Sequence, residues 1–148
     1  MTSDANVLPP GYPVGITLPV QWGDQDAFGH VNNTVYFRWF ESARIAYGRR
    51  IGLNAWKETR NIGPILASIT CEYRRQVTFP DTVRVGARIT RIGRSSMTME
   101  HVVISEAVGG TAAEGTSAVV LFDYTAGRSY PIPDELRRAI EALEGRPF

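Results

Sequence analysis

The chain has 148 residues, 43% of them hydrophobic and 21% charged, with 16 Lys and Arg against 15 Asp and Glu. That length suits one domain and that apolar share a packed core, which excludes a wholly disordered chain. A net charge of +1 leaves no basic excess for nucleic acid or for a polybasic membrane patch, and the single Cys71 excludes an internal disulfide and a Cys-rich metal centre.

No apolar run approaches the roughly 18–20 residues that a membrane span needs. The opening Met-Thr-Ser-Asp-Ala-Asn lacks the positive and apolar regions of a secretory signal, so the expected location is cytoplasmic. Residues 1–14, with Pro9, Pro10, Gly11 and Pro13, read as an arm, and 15–148 as a single domain. Ile16, Leu18, Val20 and Trp22 alternate, which predicts a first strand over 16–22, followed by a polar loop over 23–30.

The period then changes. Val35, Tyr36, Trp39, Phe40, Ala43, Ala46 and Tyr47 step by three and four, predicting a helix over 33–50 with one broad aromatic stripe. Asn32 or Asn33 suits its N-cap, Gly52 lies beyond its end, and its length is about 27 Å. A weaker helical patch covers 54–60. Segments 64–77, 82–92, 96–105 and 112–124 are rich in Val, Ile, Thr and aromatics and read as strands. Pro80-Asp81, Gly93-Arg94-Ser95 and Gly109-Gly110 separate them. Residues 131–143 read as a short helix with Pro133 in its first turn.

Strand, long helix, then four long strands describe an α+β fold, an antiparallel sheet curled around one helix. A parallel α/β sheet is excluded, because no helices separate the last strands. The final strand is apolar on both faces, Val119 and Leu121 on one and Val120 and Phe122 on the other. That points to more buried surface than one subunit offers, hence to an oligomer.

The unusual segment is Asp24-Gln25-Asp26-Ala27-Phe28-Gly29-His30-Val31-Asn32-Asn33, at the strand-to-helix junction. A helix start presents unpaired N–H groups and partial positive charge, which can polarise a carbonyl or hold a developing oxyanion. A carboxylate and a histidine beside it supply the other parts of acyl transfer. On spacing alone, such a loop serves equally as a cap or a turn.

The run Trp22-Gly23-Asp24-Gln25-Asp26-Ala27-Phe28-Gly29-His30-Val31-Asn32-Asn33, continued by Tyr36, Phe40, Glu41, Ala43 and Arg44, resembles the signature of hotdog-fold acyl-CoA thioesterases of the 4-hydroxybenzoyl-CoA thioesterase-like group. Tyr73-Arg74-Arg75-Gln76-Val77, Pro80-Asp81 and the last long strand extend the likeness over residues 15–125. The resemblance implies a hotdog fold, a central helix wrapped by a curved sheet of about five strands. It also implies a homodimer or homotetramer with sites between subunits, an acyl-CoA or acyl-carrier-protein substrate, and no metal or redox cofactor. It makes Asp26 the nucleophile, or the base that activates a water, and gives the Asn33 N–H the carbonyl oxygen. His30 becomes a general acid, a substrate contact, an orienter of Asp26 or a structural loop residue. Arg91, Arg94 and Ser95 match the turn that contacts the nucleotide, with Arg74 and Arg75 as rivals.

The 4-hydroxybenzoyl enzymes carry large aromatic residues near the helix start, where this chain has Asn32 and Asn33. That is more similar to fatty acyl-CoA and acyl-carrier-protein thioesterases, and it leaves the acyl group open. The rivals are a hotdog enoyl-thioester hydratase, whose Asn-Pro-x-His run is missing here, and a non-catalytic acyl-CoA-binding protein. Plainer roles are expected for other residues. Asp24 orders the loop, Glu41 pairs with Arg44 or Arg38 across one helical turn, and His101 lies in the core or an interface. Cys71 is read as buried and inert, and Asp24, Asp26 and His30 lack a fourth partner for a metal site.

Overall fold

The aromatic stripe forms the helix its period predicts. In the computed structural model, which describes residues 7–148, α1 spans Asn33–Arg50 and buries Tyr36, Trp39, Phe40, Ala43, Tyr47 and Gly48. Asn32 is its N-cap, with Oδ1 accepting from the Thr34 N–H at 2.9 Å. Arg49 and Arg50 place positive charge at the end where the helix dipole favours it. Gly52, at φ +84°, turns the chain into α2, Leu53–Arg60.

The strands are β1 (Val14–Pro19), β2 (Ile62–Tyr73), β3 (Thr82–Ile92), β4 (Ser96–Ser105), β5 (Gly110–Asp123) and the two-residue β6 (Arg128–Ser129). They form one antiparallel sheet in the order β1-β3-β4-β5-β2, with β6 paired to β5. The five long strands curl around α1 as expected, and α3 (Asp134–Glu144) packs against β3. Glu144 of α3 ties three elements together, since its carboxylate accepts from the Tyr47 hydroxyl at 2.5 Å and the Ile89 N–H at 2.9 Å. No helix among the described residues is long and apolar enough to cross a membrane.

The predicted boundaries shift where local chemistry intervenes. The first strand runs from Val14 to Pro19, not 16–22: Trp22 sits in a 3-10 turn with 74% of its surface exposed. The second stops at Tyr73, because Arg74 and Arg75 both turn their N–H groups onto the Ala112 carbonyl. Pro133 is the N-cap of α3 rather than a first-turn residue. Of the predicted arm, residues 1–6 lie outside the described residues, and Val14 already belongs to the sheet.

Two of the three bulges in the sheet keep its inner face apolar. Alternation puts Val83, Val85, Ala87 and Ile89 inward, and an unbroken count would send Arg91 in next. An extra residue between Ile89 and Arg91 resets the phase, and Ile92 pairs with buried Met97 instead. In β2 the extra residue is Ala67, between Leu66 and Ser68. It aligns Leu66, Ile69, Cys71 and Tyr73 opposite the inward Val119, Ser117, Gly115 and Ala113 of β5.

At the centre, fully buried Phe40 stacks on His101 with ring centroids 4.8 Å apart. His101 Nε2 lies 2.8 Å from the Ser117 hydroxyl, which accepts from the Arg44 guanidinium at 3.2 Å. Burial, and then the Arg44 charge, push the imidazole down to about 3. The ring is thus neutral in the native protein, while the unfolded chain takes up a proton at about 6.5. Its contribution to stability is full above that value and is lost as pH falls toward 3. Thermal melts between pH 7 and pH 4 should therefore show a steep fall, worth a few kcal/mol in order of magnitude. His101→Gln should flatten that fall; an equal pH slope in the variant would remove His101 as its cause.

Candidate active site

The loop before α1 is a small closed ladder. The Asn32 N–H donates to the Asp24 carbonyl at 2.9 Å, Gln25 bridges Val31, and the Asp26 N–H donates to the His30 carbonyl at 2.8 Å. The turn at its tip passes through Gly29 at φ +84°, a conformation that favours glycine. Val31 is buried against the core, with its N–H on the Val77 carbonyl at 2.8 Å. Alternation then leaves His30 and Asn32 on the open face, both half-buried.

Two carboxylates in this loop have different tasks. Asp24 Oδ2 accepts from the Gln21 N–H at 2.8 Å and fixes the preceding 3-10 turn, which is the ordering role the sequence suggests. Asp26 Oδ1 accepts from the Phe28 N–H at 2.8 Å. Its second oxygen carries no hydrogen bond among the described residues, so the carboxylate is held on one side and open on the other. The His30 ring makes no hydrogen bond to Asp26, and Asp24, Asp26 and His30 do not gather as a ligand set.

The start of α1 is only partly capped. Asn32 satisfies the Thr34 and Val35 N–H groups through its side chain and carbonyl, and the Asn33 N–H has no partner among the described residues. The Asn33 carbonyl accepts from the Tyr73 hydroxyl at 2.9 Å. Tyr73 is a residue the sequence analysis assigned no task, although it stood inside the family-like run; it ties the end of β2 to the first residue of α1. Its ring meets Tyr36 edge-on at 4.9 Å. Burial pushes both phenols up to about 12, so each stays a proton donor at neutral pH. Burial also raises the Cys71 thiol, which is half-buried rather than buried as expected. It is a neutral thiol, not an activated nucleophile.

The predicted basic residues do not join this cluster within one chain. Arg94 and Ser95 form the turn between β3 and β4, with Arg91 exposed on β3. Val20, which leads into the loop before α1, is bonded to Asp81 at the opposite end of β3. An 11-residue strand separates them, about 36 Å. Beside the turn is a polar pocket shared by Arg94, Ser95, Arg128 and Tyr130, so Arg128 is a second cation that sequence reasoning missed. The rival Arg74 is already paired with Glu72 at 2.9 Å and Glu114 at 3.2 Å. Among the described residues Glu41 forms no ion pair with Arg44 or Arg38, contrary to expectation; Glu41 and Arg44 both line a cavity beneath the C-terminal half of α1, where the Glu41 charge acts on Arg44 without direct contact.

The fold that carries this loop is shared with known thioesterases. The model of the thioesterase-like superfamily matches residues 20–140. A thioesterase from Thermus thermophilus, solved with coenzyme A and zinc, is 38% identical, with TM-score 0.83, and the match covers 95% of this chain and 100% of that one. A thioesterase-superfamily protein from Jannaschia sp. CCS1 is 26% identical at TM-score 0.82, covering 93% and 87% of the two chains. The long-chain acyl-CoA thioesterase FadM of Escherichia coli is 24% identical over 118 residues, 80% of this chain and 89% of that protein.

Proposed function

The chain belongs to the thioesterase-like superfamily and is a thioester hydrolase of hotdog fold, and on that basis we propose that it hydrolyses acyl-CoA with Asp26 as the reacting carboxylate. The observation that carries this reading is the pairing of a half-satisfied carboxylate with a free helix-start donor. Asp26 offers one unbonded oxygen, and the Asn33 N–H at the head of α1 is unpaired among the described residues. The thioester oxygen takes the Asn33 N–H, where the helix dipole and a fixed donor stabilise negative charge as the carbonyl carbon becomes tetrahedral. Asp26 acts as nucleophile, giving an acyl anhydride that water then opens, or as the base that removes a proton from the attacking water. Either route ends in a carboxylic acid and free coenzyme A. Tyr73 positions the first turn of α1 through the Asn33 carbonyl.

The nucleotide site follows from how two copies pair. Strand β2 has β5 on one side only, and its 12-residue outer edge is unpaired among the described residues. Antiparallel pairing of two β2 edges makes a dimer and carries the partner's 93–95 turn toward Asp26. Arg91, Arg94 and Ser95 of the partner subunit then bind coenzyme A phosphates, with His30 as a substrate contact at the loop.

The test is thiol release from short, long and aromatic acyl-CoAs, with subunit number measured by light scattering. Turnover on at least one acyl-CoA by a dimer or tetramer is expected. A folded monomer with full activity would overturn the shared site, and no turnover on any coenzyme A thioester would overturn the substrate assignment.

A further inference from the structure

The cavity beneath the C-terminal half of α1 has a volume of about 400 Å³, and its lining follows the strand order. Pro64 and Leu66 line it on β2, where both are exposed. Leu66 pairs with Val119 of β5, and Val119 with Met97 of β4. The next inward position of β4, Met99, pairs with Ile89 of β3. Val119, Met97, Met99 and Ile89 are all buried. The space is thus a passage across the sheet, open at the β2 edge and floored by apolar side chains. Three strand steps of about 4.8 Å make it about 14 Å long.

Its far end is closed by α3. The last partner of β1 on β3 is Ala87, so β1 does not cover the β3 edge at Ile89. The Glu144 carboxylate takes that place. One of its oxygens accepts both from the Ile89 N–H at 2.9 Å and from the Tyr47 hydroxyl at 2.5 Å. Arg146 continues the cover by donating to the Thr90 carbonyl at 3.1 Å. Tyr47 and Ile89 both line the cavity and are each 1% exposed, so together they are its inner wall. Burial, and then the Glu144 bond, raise the Tyr47 pKa, which keeps the hydroxyl a donor. A phenol anchored at its hydroxyl as well as its Cα has no free rotamer into which to swing aside.

We propose that Tyr47, held by Glu144, is the stop that limits acyl length in this enzyme. The inference rests on the acyl-CoA reading above. Pairing of β2 edges sets the cavity mouth beside the head of the partner's α1, so a thioester at Asp26 of the partner subunit sends its tail inward from β2 toward β3. A passage of about 14 Å holds an extended chain of about ten to twelve carbons. A longer tail meets the Tyr47 ring. Glu144 acts through Tyr47, as a positioning residue, so α3 decides which acyl groups fit.

S-alkyl-CoA thioethers of six to sixteen carbons are the probe, because they are not hydrolysed and report the cavity independently of Asp26. Affinity measured by calorimetry should rise roughly tenfold for each two carbons buried and stop rising at about ten to twelve carbons. Tyr47→Leu removes the end wall and should carry the rise on to sixteen carbons, with at least a tenfold gain for that ligand over the native protein. Glu144→Ala frees the ring and should move the limit the same way, which tests the stop even where Tyr47→Leu does not fold. Glu144→Gln keeps an oxygen that accepts both bonds and should keep the limit. Hydrolysis of the matching acyl-CoAs should follow the same lengths, with kcat/KM falling at least tenfold from twelve carbons to sixteen. An affinity independent of tail length, or a limit that neither Tyr47→Leu nor Glu144→Ala moves, overturns the proposal. Length-limited binding that both variants extend, without hydrolysis of any acyl-CoA, upholds the stop and overturns only the reaction.

Discussion

Asp26→Asn should lower kcat for acyl-CoA hydrolysis by roughly 10²–10⁴-fold, the range for loss of a positioned acid or base. The fold should survive. The amide oxygen of Asn can still accept the Phe28 N–H that Asp26 Oδ1 accepts now, so the 26–29 turn keeps its bond. What disappears is the unbonded oxygen, replaced by an NH₂ that neither attacks a carbonyl nor takes a proton from water. Asp24→Asn is the internal control: its side chain faces the Gln21 N–H, so the change should cost far less turnover. Steady-state thiol release on both variants, with circular dichroism to confirm folding, separates the two. Equal losses would refute the division of labour between the carboxylates. Retained turnover in Asp26→Asn would move the reacting carboxylate elsewhere, with Glu41 next to test.

Gly115→Ala should cost about 3 kcal/mol, the upper part of the range for overpacking a core. A Cβ at this position would sit 2.4 Å from the Phe40 ring and 2.5 Å from the Thr70 carbonyl oxygen. The Cβ would meet the Cε2–Cζ edge of a ring already stacked on His101, the residue directly across from Gly115 on β4, and the carbonyl belongs to the neighbouring strand. For a chain of this length the melting temperature should drop by roughly 10 °C. Adding Phe40→Leu should recover part of the loss by opening the ring side, while the Thr70 contact keeps recovery incomplete. A drop below about 1 kcal/mol would mean that β5 shifts away from α1 more easily than a close-packed core allows.

Much of the architecture was legible because each element carries its own period. The stripe from Val35 to Tyr47 and the Asn32 cap specify α1 without help from the rest of the chain. The succession of strands after it follows from the turn residues between them, whereas their order in the sheet, with β2 at the edge beside β5, does not. Trp22 misled the count because an alternating apolar residue need not be inside; the chain turns at Pro19 and leaves the indole in solvent. The bulges were hidden for a related reason, since the extra residue is visible only once the partner strand supplies a register. At the candidate site, Asp26 and Asn33 stand out in the sequence because they are seven residues apart around one loop. Tyr73 was not, because its link to Asn33 spans 40 positions and runs through backbone rather than a motif. Arg94 was singled out only by its position in the turn between β3 and β4, which lies at the far end of β3 from the loop. The cavity beneath α1 had no signature at all, because Met97 and Met99 read as ordinary core.

The extra residue in β2 also bears on how this lineage can change length. A strand counts in twos, and Ala67 stands outside the count, between Leu66 and Ser68. Losing that one codon would leave Ile69, Cys71 and Tyr73 facing as they do now. Losing or gaining one codon between Ser68 and Tyr73 would reverse every side chain that follows and swing the Tyr73 phenol away from the Asn33 carbonyl. Indels are thus tolerated at one position of this strand and forbidden at its neighbours, and homologues that differ there by a single residue would still hold the head of α1 in the same way.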